Sequence, residues 1–218
     1  PVIHSKLTIL GNGATITRSA NAGTPPFRLL AIAARAGDVT LDSVTLSNGL
    51  LTGTAGGAAI YNAGKLILRH STLAGNAAEE GAGGLYVSPY TNASLEVISS
   101  TISGNAGVGL WAQDASVSLA NTTIAFNKGL GLQTQLGRVV LNNTIIANNG
   151  AQQCKIVNTN LTDDANNISS DASCRFISSR SLMNVDPLLQ PLADNGGPAF
   201  THALGIGSPA IGAGSCLV

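Results

Sequence analysis

The chain has 218 residues, 44% hydrophobic and only 10% charged, a composition that buries much of itself and argues against disorder. Eleven Lys and Arg balance eleven Asp and Glu, so there is no basic stripe for nucleic-acid phosphates or an anionic membrane surface. Twenty-six glycines and 4% aromatics point to short strands and tight turns, and no apolar run reaches the roughly 20 residues that span a bilayer.

From the N-terminus, no charged-then-apolar leader stands at Pro1, as expected of a mature or trimmed domain. LTILGNG (7–13) is an irregular first coil, followed by a motif that recurs: DVTLDSVTLSNG (38–49), KLILRHSTLAGN (65–76), SLEVISSTISGN (94–105), SVSLANTTIAFN (116–127) and RVVLNNTIIANN (138–149). Their first apolar residues, Val39, Leu66, Leu95, Val117 and Val139, are 27, 29, 22 and 22 residues apart, so the basic unit is 22 and the longer intervals carry outward loops around 50–56, 77–82 and 88–92. Within each motif apolar residues alternate, the signature of a strand with one buried face. Before each motif stands another short strand: Ala59-Ile60-Tyr61, Gly84-Leu85-Tyr86, Gly109-Leu110-Trp111 and Gly131-Leu132-Gln133.

Three short strands per 22-residue unit predict a parallel β-helix of about six coils over residues 1–150, each coil satisfying its backbone through its neighbours. Stacking then predicts an Asn column at Asn76, Asn105, Asn127 and Asn149, with Asp38 beside Lys65 and Asp42 beside Arg69. Residues 151–218 form a loop-rich tail packing on the same domain. Cys154 and Cys174 enclose a polar segment and match no metal or redox spacing; a loop-stapling disulfide is expected, the alternative being reduced, buried thiols. Cys216 has no assigned partner.

The phrases STLAGN, STISGN and GGAAIYNAGKL resemble bacterial right-handed parallel β-helix repeat proteins of the pectin-lyase-like superfamily. VDPLLQPLADNGGPAFTHALGIGSPAIGAG (185–214) resembles the terminal signature of the choice-of-anchor bacterial surface proteins, although Gly212 stands where that group has Asp. The resemblance implies a right-handed helix at a secreted or cell-surface location; the superfamily also holds polysaccharide lyases and glycoside hydrolases, so the fold alone selects no chemistry.

Such enzymes need convergent carboxylates, with calcium or a nearby base. Asp38, Asp42, Glu96 and Asp114 fall at different repeat positions, Glu79-Glu80 share an inserted loop, and Asp163-Asp164 read as a turn. None of His4, His70 and His202 stands with a Ser, Cys or second His in a pattern that would suggest a nucleophile or metal motif; His202, in THAL, is expected to make a structural hydrogen bond. No cofactor is indicated, calcium remaining open. Sequons at Asn92, Asn121, Asn142, Asn160 and Asn167 are compatible with secretion.

One constellation suggests binding. Where Ile60, Leu85, Leu110 and Leu132 point inward, Tyr61, Tyr86, Trp111 and Gln133 point outward on a single face. Aromatics in a row can lie against the apolar faces of sugar rings; equally, they can serve as a stabilising ladder. The expectation is a noncatalytic extracellular scaffold for surface adhesion or polysaccharide binding, with a polysaccharide lyase or glycoside hydrolase as the alternative. End-to-end self-association through an uncapped sheet edge is a further possibility.

Overall fold

The computed structural model describes residues 2–53, 56–90, 93–150 and 152–215, so Cys216 and the sequon at Asn92 lie outside the described residues. Each turn of the chain gives one strand to each of three parallel sheets. The first sheet contains Val2–Ile3, Leu30–Ile32, Ile60–Asn62, Ala77–Val87, Ala106–Gln113, Leu132–Gln135 and Cys154–Val157, with Leu50–Leu51 pairing beside Ala77. The second runs from Lys6–Leu10 through Asp38–Asp42, Lys65–Arg69, Ser94–Ile98, Ser116–Ala120 and Arg138–Asn142 to Asn160–Asp163. The third holds Thr15–Thr17, Thr45–Ser47, Thr72–Ala74, Thr101–Ser103, Thr123–Ala125, Ile145–Ala147, Ile168–Ser169 and Leu182–Met183.

Seven strands in the second sheet make seven turns, against about six expected from the repeat. The additional turn is Cys154–Val157 with Asn160–Asp163, whose polar sequence hides its strand pattern but which pairs in register with Leu132 and Arg138. The insertion at 77–82 also differs from expectation. It is a bulged part of the long strand Ala77–Val87, because Leu50–Leu51 supplies it with a backbone partner.

Inside, the alternating residues stack. Val39, Leu66, Leu95, Val117 and Val139 occupy one column in continuous register, each at most 2% exposed. Chain reversal between the second and third sheets uses single left-handed residues, Ser43, His70, Ser99, Asn121 and Asn143, followed by buried Ser71, Ser100, Thr122 and Thr144 whose hydroxyls donate to the carbonyl two residues earlier. Between the third and first sheets, the predicted Asn column is an unbroken buried ladder. The amide of Asn76 donates to Asn105 at 3.0 Å, Asn105 to Asn127 at 2.9 Å, and Asn127 to Asn149 at 2.9 Å. Gln153 ends the ladder by accepting from Asn149 at 2.8 Å. Gly109 and Gly131 make room for it: a Cβ there would stand 2.7 and 2.6 Å from the Asn127 and Asn149 amide nitrogens.

Beyond the helix, Leu189–Ala193 and Thr201–Leu204 form an antiparallel hairpin over the outside of the third sheet. Phe200 accepts a hydrogen bond from Thr72 at 2.7 Å, and farther along Ser215 packs on Asn143 and Asn166. The Cys154–Cys174 disulfide is formed, with Cα atoms 4.8 Å apart and both cysteines buried at the end of the core.

Candidate functional site

The first sheet sets the aromatic column. Tyr61 pairs with Tyr86, Tyr86 with Trp111, Trp111 with Gln133 and Gln133 with Lys155, while Ile60, Leu85, Leu110 and Leu132 beside them are fully buried. Sheet spacing brings the rings together: centroids lie 5.7 Å apart for Tyr61 and Tyr86 and 5.1 Å for Tyr86 and Trp111, tilted by 48° and 57°. All four residues are half-buried rather than fully exposed. Gly56 and Gly57 lie against Tyr86, and Gly81, on the bulge, lies against the Trp111 ring.

Polar groups fix the ring edges. The Tyr61 hydroxyl donates to Ser88 at 2.9 Å, that of Tyr86 donates to the Gln113 side chain, and Gln113 donates to Gln135 at 3.4 Å. Burial pushes the Tyr86 hydroxyl pKa up, with the neighbouring Tyr61 adding to it. Arg28 sits 4.9 Å from the Tyr61 ring centroid and donates to the Gly56 and Gly57 carbonyls at 2.9 Å, tying the loop to the column. Trp111 Nε1 is buried with no hydrogen-bond partner among the described residues.

Carboxylates are dispersed. Asp38 meets Lys65 at 3.9 Å as the register requires. Asp42 is level with Arg69, but its close partner is His70, whose Nδ1 lies 3.2 Å away because the left-handed turn at His70 swings the ring back. The hydrogen bond from Ser43 and the contact with His70 hold the Asp42 carboxyl below its ordinary range against the opposing effect of desolvation. Glu79 accepts the Gly53 N–H at 2.9 Å, and Glu80 is exposed on the same bulge. Among the described residues, no three of His, Cys, Asp and Glu converge to hold a metal ion.

A second concavity lies where the tail hairpin crosses the third sheet, a groove of about 580 Å³ walled by Phe126, Leu189, Pro191 and Leu192. Ser103 and His202, 99 residues apart in sequence, meet in it: Ser103 Oγ lies 2.8 Å from His202 Nε2, and His202 Nδ1 lies 2.7 Å from the Gln190 carbonyl. A carbonyl can only accept, so Nδ1 carries the proton and Nε2 accepts from Ser103. Burial pushes the His202 pKa down, keeping the ring neutral at neutral pH. Phe126, 5.0 Å from the His202 ring, has φ +56° where the equivalent turn residues are Asn48, Gly75, Gly104 and Asn148. A bulky residue there costs about 1 kcal/mol or more in backbone strain.

The model of the right-handed β-helix region matches residues 11–173, more than half of the chain. The chain belongs to the right-handed β-helix family. No curated protein and no solved structure matches it. The family match ends at Ser173, so the hairpin that completes the groove lies outside it.

In this right-handed β-helix, two arrangements are invisible to a repeat analysis. One is the Ser103–His202 pair, which joins a repeat position to an aperiodic tail. The other is Asp163, read as a turn residue: it accepts from the Ile177 and Ser178 N–H groups, the Ser181 hydroxyl and the Asn167 amide, and so clamps the segment that closes the last coil. Asn167 is fully buried in the same network, which removes that sequon as an acceptor in the folded protein. Asp171 adds to the closure by accepting the Gln153 N–H at 3.1 Å, while the Ser173 hydroxyl accepts that of Cys154 at 2.9 Å.

Proposed function

We propose that this β-helix is an extracellular scaffold that holds an extended polysaccharide or cell-surface glycan along Tyr61, Tyr86, Trp111 and Gln133. The observation that carries the reading is the unbroken register of three rings and an amide on successive coils, bordered by Gln113 and Gln135. Ring faces offer apolar contact to sugar C–H groups, the amides offer hydrogen bonds to hydroxyls, and a coil spacing of about 4.8 Å repeats both along a chain. The tail residues Phe200 and His202 bond to Thr72 and Ser103 on the third sheet, a different sheet from this face. A disulfide at the end of the core suits an oxidising, extracellular compartment, and no helix among the described residues is long and apolar enough to cross a membrane.

Trp111 is the only tryptophan, so intrinsic fluorescence reports on this site alone. Titration with a panel of soluble plant and bacterial polysaccharides should shift its emission with at least one of them. Trp111→Ala should weaken retention on that polysaccharide by about 1–3 kcal/mol while cooperative melting of the core is retained. Unchanged emission and retention across the panel would make the column purely architectural. Release of shortened products in the same assay would instead favour a polysaccharide lyase or glycoside hydrolase.

A further inference from the structure

We propose that Ser103 and His202 form a nucleophile–base pair that hydrolyses small aryl esters in the groove between the tail hairpin and the third sheet. The three elements of an activated serine are present in sequence of contact: hydroxyl to Nε2 at 2.8 Å, and Nδ1–H to the Gln190 carbonyl at 2.7 Å. The carbonyl fixes the tautomer, as a carboxylate does in other serine nucleophile sites, and among the described residues lining the groove His202 is the one ionisable side chain. Ser103 lines the groove with 2% of its surface exposed, so the hairpin side chains over it must give way for an ester carbonyl to reach Oγ. Phe126, held in a strained left-handed turn, adds an aromatic wall beside the base.

The chemistry follows from these groups. Ser103 Oγ adds to the ester carbonyl carbon as its proton passes to His202 Nε2; the carbon–oxygen bond to the aryl group then breaks, and the aryl oxide takes that proton and leaves as a phenol. Water attacks the acyl-serine, giving its proton to His202, which returns it to Ser103 as the carboxylic acid departs. The N–H of Gly104, next to the nucleophile, already donates to the Ala125 carbonyl at 3.2 Å, so the developing oxyanion receives little help there. This limits the substrates to esters with a stabilised leaving group, and the Phe126 wall suits an aromatic one.

The site lies on a different sheet from the aromatic column, so it stands or falls independently of glycan binding. The test treats the native protein with a phenyl-bearing fluorophosphonate, followed by peptide mapping, and with p-nitrophenyl acetate. A single adduct at Ser103 and nitrophenol release that falls at least about 100-fold in Ser103→Ala and in His202→Gln are expected, with cooperative melting retained. His202→Gln separates base from latch, since an amide can still hydrogen-bond across the groove but cannot take the proton. No Ser103 adduct in the wild-type protein, or release that survives Ser103→Ala, overturns the proposal; if either variant fails to fold, the wild-type adduct map decides alone.

Discussion

Asn105 shows how much one side chain contributes to this fold. Its Oδ1 accepts from the backbone N–H and the amide of Asn76, while its own amide donates to the Leu73 carbonyl and to Asn127. All these partners are buried, so Asn105→Ala strands several polar groups away from water, and urea unfolding should show a loss of about 3 kcal/mol or more. Asn121, which accepts from Asn143 at 3.0 Å in a second, exposed ladder, provides the contrast. Asn121→Ala should cost only about 1 kcal/mol, because water replaces the lost partner and what remains is the strain of Ala at the left-handed φ of +51°. The column was legible in the sequence because identical residues recur at the same repeat position. The outward direction of Tyr61, Tyr86 and Trp111 was legible for the same reason. Their half-burial was not, since Gly56, Gly57 and Gly81 reach the rings from insertions that follow no period.

Among the elements, the strands and their register could be read from alternation and spacing, whereas the closing segment after the last coil could not. It is fixed by contacts from Asp163 to Ile177, Ser178 and Ser181, and from Asp171 to Gln153, which join residues with no common place in the repeat. Desolvation raises the Asp163 pKa, but hydrogen bonds from Ser181, Ser178, Asn167 and Ile177 outweigh it and hold the carboxyl below its ordinary value of 3.8. A carboxyl with a depressed folded-state pKa contributes stability that is present above its unfolded value and lost as pH falls through the folded one. The closing segment should therefore hold firmly from neutral pH down to about pH 5 and weaken below about pH 4. Denaturation midpoints measured between about pH 6 and pH 3 test this against Asp163→Asn. The variant, whose side-chain amide nitrogen cannot accept from Ile177 and Ser178, should be less stable at the upper end and lose less on acidification. Parallel curves for the two proteins would place the acid sensitivity elsewhere.

For the molecule as a whole, a solenoid behaves as a stack of units coupled to their neighbours, so coils of equal length should be interchangeable. Residues 106–127 form such a unit: Ala106–Gln113, Ser116–Ala120 and Thr123–Ala125 give one strand to each sheet and pair with the next coil without a shift. Duplicating them after Asn127 creates a junction of Asn followed by Ala106, the same junction that Asn105 makes in the native chain. Val117 then stacks on Val117, Asn127 extends the amide ladder, and Gly109 again leaves room for the amide beneath it. The cost falls on the tail. His202 grips Ser103 below the insertion, whereas Leu182–Met183 before the hairpin and Ser215 after it are held above, so these anchors separate by about 4.8 Å and cannot all be kept. The Ser215 contact is exposed and should yield first. The extended protein should melt cooperatively within about 5 °C of the parent, retain its β circular dichroism per residue, and carry two stacked tryptophans. If the aromatic face binds glycan, the added ring should also tighten retention. Loss of cooperative melting would show that the coils depend on their individual neighbours and are not equivalent units.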